Sequence, residues 1–173
     1  MEKVILVNEE DQETGLMEKL EAHKSGLLHR AISVFIFNNK NELLLQKRAL
    51  NKYHSAGLWT NTCCSHPRAG EETKAAAIRR LQEEMGLKTE LNWCFSFHYK
   101  AKLENNLTEN ELDHVFIGNH DAAPEPNPDE VAEWKYVNLE DLKSDIKTNP
   151  EDYTFWFKLI LDRVATQYLK NTY

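Results

Sequence analysis

Glu109 and Glu111 stand two residues apart, so on a strand both carboxylates face the same side. Two carboxylates placed that way repel unless a proton or a cation lies between them. Three of the seven histidines, His23, His29 and His66, could join them. Three imidazoles and two carboxylates make an N/O donor set suited to Mg, Mn, Fe or Zn and unlike a thiolate zinc site. The spacing follows no HExxH pattern, so on spacing alone the same residues read as surface histidines and a solvated acidic loop.

A second candidate is the run Asn61-Thr62-Cys63-Cys64-Ser65-His66-Pro67. A thiol near a cationic group has its pKa lowered from about 8.5 and becomes reactive, whereas a buried cysteine is commonly inert packing. A third is Arg79-Arg80-Leu81-Gln82-Glu83-Glu84-Met85-Gly86. Glu83 and Glu84 near a helix end suit a divalent cation carrying phosphate, although charged runs usually mean a solvated face. Lys19, Arg48 and Lys52 could meet a polyanion if they converge, which spacing does not reveal. Trp59, Tyr99 and Trp156 could wall an apolar pocket, and a Trp face stabilises a cation. Taken singly, each is core.

These side chains sit in a chain of 173 residues, the length of one domain spanning 1–173. Lys plus Arg total 21 and Asp plus Glu 28, for a net charge of -7. That balance argues against a nucleic-acid partner, which needs clustered positive charge. No apolar run approaches the ~20 residues that span a bilayer, and no secretory signal is visible, so no membrane association is expected. Three cysteines, two of them adjacent, exclude a disulfide framework and fit a reducing cytoplasm.

The elements that must position the candidates are legible as patterns. Residues 1–10 form a short strand or a lead-in. Leu16, Met17 and Leu20 predict a helix over 16–23 that ends at Gly26. The runs 31–37 and 43–48, separated by Asn38-Asn39-Lys40-Asn41, predict a β-hairpin. Residues 49–60 read as a loop. Residues 73–85 form a helix, capped by Glu72 or Thr73 and closed by Gly86. Strands follow at 91–99, 112–117 and 131–137. Pro124, Pro126 and Pro128 mark an extended loop, and helices cover 139–146 and 155–169. That order is an α/β or α+β mixture rather than a βαβ repeat.

Together the motifs resemble a known family. The stretch from Ser65 to Leu87 resembles a degenerate Nudix box, G-x5-E-x7-R-E-U-x-E-E-x-G-U with U aliphatic. Glu71, Arg79, Leu81, Glu83, Glu84, Gly86 and Leu87 match it. Ser65 replaces the first Gly and Arg80 replaces a Glu, which removes a carboxylate from the metal-binding helix and argues against ordinary pyrophosphate hydrolysis. With Trp59–Pro67, Glu109-Asn110-Glu111, the His23/His29 pair and Leu44–Ala49, the chain resembles the type I isopentenyl diphosphate isomerases from about His23 to Trp156.

The resemblance implies an α/β fold, a Nudix-like α/β/α sandwich with a mixed sheet. It implies interconversion of isopentenyl and dimethylallyl diphosphates in isoprenoid biosynthesis. It assigns Cys64 as the catalytic thiol, Glu111 as the opposing carboxylate, Tyr99 as its support and Trp156 as the face turned to the developing cation. Lys19, Arg48, Lys52 and Arg80 would contact the diphosphate of a small-molecule substrate. His23, His29, His66, Glu109 and Glu111 would cage a divalent metal (Mn²⁺, Mg²⁺ or Zn²⁺), and Glu84 would help hold a substrate-bridging Mg²⁺. A monomer is expected. The competing expectations are a Nudix hydrolase of nucleoside diphosphate derivatives and a non-catalytic Nudix-like binding module.

Overall fold

The computed structural model describes residues 2–172. Its elements are β1 (Lys3–Val7), β2 (Glu13–Glu18), α1 (Lys19–Ser25), β3 (His29–Phe37), β4 (Glu42–Arg48), β5 (Trp59–Thr60), β6 (Cys63–Ser65), α2 (Thr73–Met85), β7 (Leu91–Lys102), β8 (Thr108–Asn119), β9 (Val131–Asn138), α3 (Leu139–Thr148) and α4 (Phe155–Thr172). Among the described residues, nine strands form one mixed sheet.

β3 is the hub of that sheet. It runs parallel to β8 along its whole length, from His29 opposite Glu111 to Phe37 opposite Asn119. Its other edge meets three strands in turn: β1 at His29, β6 at Ile32–Val34 and β4 at Phe37. A strand paired on both edges and covered on both faces reads as a near-continuous apolar run, which is the character of 31–37 apart from Ser33.

The expected hairpin exists only at its turn. Beyond the Phe37–Leu43 pair, β4 leaves β3 and pairs with β9 and β5. Thr62 fills the fork: its hydroxyl accepts from the Ile36 N–H at 2.9 Å and donates to the Leu44 carbonyl at 2.6 Å. The Asn61 amide donates to the Val34 and Cys63 carbonyls. Side chains thus satisfy backbone groups that the splayed strands leave open. The 49–60 loop also ends in a two-residue strand, β5.

The helix expected over 16–23 is corrected at its start. Leu16 and Met17 pair with Ile5 and Val4 in the β1–β2 hairpin, and the helix begins at Lys19. Three apolar residues in so short a window fit either period, and β1 supplies the partner that decides for strand. At α2, Glu72 is the N-cap, but its side chain makes no capping bond.

Strand alternation sends odd-numbered β3 residues to one face and even-numbered ones to the other. Ile32, Val34 and Ile36 pack with Leu44, Cys63 and Phe116 beneath Ala76, Ala77, Leu81 and Met85 of α2. Phe35 and Phe37 pack with Leu43, Leu45 and Val115 against Leu142 of α3 and Trp156, Phe157, Ile160 and Val164 of α4. This is the expected α/β/α layering. Gly86 closes α2 at φ 68°, where a Cβ would stand 2.5 Å from the Glu125 carbonyl oxygen. The proline-rich loop is fastened there, with Glu125 and Asn127 N–H donating to the Met85 and Glu84 carbonyls. No helix among the described residues is long and apolar enough to cross a membrane.

Candidate active site

The odd-numbered face is apolar at one end of β3 and polar at the other. His29 opposes Glu111 across the β3–β8 pair, and Tyr99 opposes Glu111 across β7–β8. Glu109 and Glu111 share that face, as their spacing predicts. α1 lies over the same end and supplies His23. β6 enters from the other edge of β3 and sets Cys64 opposite Ser33. Ser33, Cys64, His66, Tyr99, Glu109 and Glu111 line one cavity of about 550 Å³, while His23 and His29 are fully buried and outside its lining.

The three imidazoles converge. Ring centroids are 4.8 Å apart for His23–His29, 5.2 Å for His29–His66 and 5.8 Å for His23–His66. His23 Nδ1 bonds the Lys19 carbonyl at 2.7 Å and His29 Nδ1 the Leu27 carbonyl at 2.8 Å. A carbonyl only accepts, so both Nδ1 atoms carry the proton and both Nε2 atoms present a lone pair. Those two Nε2 atoms are buried without a hydrogen-bond partner, as is Glu109 Oε2. His23 Nε2 lies 3.4 Å from Glu109 Oε2, His29 Nε2 3.4 Å from Glu111 Oε1 and His66 Nε2 2.9 Å from Glu111 Oε1. Ligand atoms of His23, His29, His66 and Glu111 all fall within 4.8 Å of one another. Backbone-fixed tautomers and unpartnered inward donors are what a divalent cation requires, so the residues present fit a metal.

The carboxylates behave as a pair. Burial, then the Glu111 charge, pushes the Glu109 carboxyl well up. Burial would raise Glu111 too, but the His29 and His66 imidazoles beside it outweigh that and hold it well down. Tyr99 donates its hydroxyl to Glu111 Oε2 at 2.7 Å.

Alternation also separates the two thiols. Cys63 faces the α2 core and is fully buried, while Cys64 faces the cavity. Burial, opposed by Arg48, pushes the Cys64 thiol up to about 12, so it is a neutral S–H at pH 7. Arg48 Nη1 stands 3.9 Å from its sulfur. Trp156 of α4 closes the wall, with the Arg48 guanidinium carbon 5.5 Å from its ring centre. Trp59 is not in the lining: Lys135 and Lys47 stand over its ring outside the cavity.

Lys19, Arg48, Lys52 and Arg80 do converge on the cavity, each already engaged. Lys19 pairs with Glu2 at 3.2 Å and Lys52 with Glu130. Arg80 bonds Glu83 and Glu84 at 2.6 Å and Glu130 at 3.3 Å. Arg48 donates to the His54 and Ser55 carbonyls at 3.2 Å. Glu84 borders the same cavity but is absent from the His/Glu cluster; Arg80 and the Gln46 amide hold it.

Sequence reasoning missed several residues at this end of the sheet. His54 approaches Glu109 Oε1 at 3.1 Å and sits in a loop without periodicity. Glu130 lies just beyond the proline loop, with no motif to mark it. Asp113 was findable, because Glu109, Glu111 and Asp113 alternate along one strand. Its carboxylate accepts from Ser33 Oγ at 2.7 Å.

The chain matches the NUDIX domain family over residues 27–157. It is 58% identical to the isopentenyl-diphosphate Delta-isomerase 1 of Aromatoleum aromaticum, over 94% of this chain and 92% of that one. It is 52% identical to the isopentenyl-diphosphate Delta-isomerase of Pectobacterium atrosepticum, over 94% and 90%. In fold it resembles the crystal structure of DR0079 from Deinococcus radiodurans, with a TM-score of 0.79, 19% identity and coverage of 94% and 98%. The chain therefore belongs to the NUDIX domain family and, within it, to the isopentenyl-diphosphate Delta-isomerases.

Proposed function

We propose that this chain is an isomerase that interconverts isopentenyl and dimethylallyl diphosphates, with Cys64 and Glu111 as its proton-transferring pair. One observation carries the reading: the two groups stand on the strands flanking β3, on the same face, lining one cavity. Moving the double bond requires a proton delivered to its terminal carbon, which leaves a tertiary cation at the middle carbon, and another removed from the carbon on the cation's far side. A thiol and a carboxylate on separate strands reach the two carbons, and the reverse reaction exchanges their roles. Tyr99 orients Glu111 and fills one of its lone pairs. The intermediate tertiary cation reacts with water, so the dry wall of Trp156 and Tyr99 protects it, and the indole face stabilises positive charge without attacking it.

Lys19, Arg48, Lys52 and Arg80 bind the diphosphate and anchor the reacting carbons from a distance. Glu2, Glu130 and Glu84 pair with Lys19, Lys52 and Arg80 before substrate arrives, while Arg48 rests on backbone carbonyls. Three imidazoles and two carboxylates suit Mn²⁺, Zn²⁺ or Mg²⁺, with Glu84 helping to hold a Mg²⁺ that accompanies the diphosphate. When bound, the divalent cations neutralise the paired carboxylates and tune Glu111. The site draws residues from α1 through α4 of one chain, which fits a single domain acting as a monomer. Three free thiols fit a cytoplasmic enzyme.

The test is incubation of purified protein with isopentenyl diphosphate and Mg²⁺. Acid-labile dimethylallyl product is expected. Its absence, together with phosphate released from nucleoside diphosphate derivatives, would replace this reading with the hydrolase one.

A further inference from the structure

His54 belongs to none of the roles above, yet it is buried against the metal cage. Its Nε2 lies 3.1 Å from Glu109 Oε1. The other carboxylate oxygen, Oε2, faces His23 and has no hydrogen-bond partner. The two oxygens of Glu109 are thus divided, one toward His54 and one toward the imidazole cluster. With Nε2 turned to Glu109, Nδ1 on the other side of the ring lies 3.3 Å from the Ser55 hydroxyl.

The loop bearing His54 is held from two sides. Ser55 has a left-handed backbone, φ 49°, a conformation costly for a residue with a Cβ. The Glu104 side chain accepts from its N–H at 2.5 Å. Arg48 ties the His54 and Ser55 carbonyls from the other side. The ring is also packed edge-on against Tyr53 at 4.6 Å and Trp156 at 6.0 Å. A strained loop persists only where its surroundings over-determine it, and here the result is an imidazole aimed at one carboxylate oxygen.

We propose that His54 is a positioning residue of the metal cage: it holds Glu109 by Oε1 so that Oε2 faces the His23, His29, His66 and Glu111 donors. Outer partners of this kind set the orientation of a ligand, and their loss commonly weakens metal binding about 10–100-fold. The same loop joins this partner to Arg48, so the diphosphate-binding cation and the cage share one support. The inference rests on the cage reading given above.

The test is Mn²⁺ affinity of the full-length chain, read from free Mn²⁺ by electron paramagnetic resonance in competition with a chelator. His54→Leu is expected to weaken affinity about 10–100-fold while the chain keeps its far-ultraviolet dichroism. His54→Gln, whose amide N–H can replace Nε2–H, is expected to restore most of the affinity. Unchanged affinity in His54→Leu overturns the proposal. So does an equal loss in a folded His54→Gln, which marks a direct imidazole ligand instead. If His54→Leu does not fold, His54→Gln decides alone: near-parental affinity supports the proposal and a loss overturns it. A parental protein that fails to bind Mn²⁺ overturns the cage reading itself, so the two failures are distinct.

Discussion

Cys63 and Cys64 are chain neighbours that face opposite sides of the sheet: Cys63 packs under α2, and Cys64 opens into the cavity. The pair therefore makes a matched experiment. Cys64→Ala is expected to abolish isomerisation with the melting temperature nearly unchanged. Cys63→Ala is expected to stay active and to lose stability by about 1–2 kcal/mol, the usual range for trimming a core side chain. Product assays and thermal melts on both variants check this, and an active Cys64→Ala would falsify the thiol assignment.

Tyr99 donates to Glu111 Oε2 at 2.7 Å. A hydrogen bond to a charged group contributes about 1.5–3 kcal/mol, so Tyr99→Phe is expected to lower kcat by roughly 10–150-fold with KM little changed. Glu111→Gln should abolish turnover. Steady-state kinetics decide, and a Tyr99→Phe variant at parental kcat removes Tyr99 from the mechanism.

Metal removal separates folding from function here. The two apolar layers persist without a cation, so chelation is expected to stop isomerisation while leaving the protein folded. Adding Mn²⁺ at about 100 times its Kd should stabilise the fold by about 2.7 kcal/mol, seen as a rise in melting temperature. His23→Ala should erase that rise. A melting temperature indifferent to Mn²⁺ in the parental protein counts against the cage.

Arg79 grips Glu71 through two bonds of 2.7 Å, tying the loop before α2 to the helix. The bond from Arg79 is the main cause that holds the Glu71 carboxyl below its ordinary value of 4.5. A carboxyl lowered by folding contributes stability above its unfolded value, and that contribution is lost as pH falls through the folded one. Glu71→Gln is therefore expected to lose about 1 kcal/mol at pH 7. The gap to the parental protein should close as pH drops below 4.5. Chemical denaturation across that range tests it, and a pH-independent gap refutes the pairing.

Gly86 has a left-handed backbone, with the Glu125 carbonyl against its Cα. Gly86→Ala adds left-handed strain of about 1–2 kcal/mol and a clash that displaces the proline loop. Because Asn127 and Glu130 belong to that loop's end, activity is expected to fall along with melting temperature. A variant as stable as the parent would show that the loop moves aside freely.

Resemblance to a family, rather than spacing, assigned Cys64, Glu109, Glu111 and the three histidines. The sequence alone determined the helix at 73–85, the central strands and the α/β class. These follow from local period, capping residues and spacing, which operate within a few residues. Asp113 too was within reach, as the third step of an alternation. The structure decided what depends on partners distant in the chain. The stretch Leu16–Glu18 became strand because β1 lies beside it, and the hairpin opened because Thr62 bonds both of its strands. Convergence of Lys19, Arg48, Lys52 and Arg80, and the approach of His54 and Glu130, arise where α1, α2, the end of β4 and two loops meet around one cavity. Spacing along a chain carries no information about such meetings, because each is set by topology and by the groups already there to receive a charge.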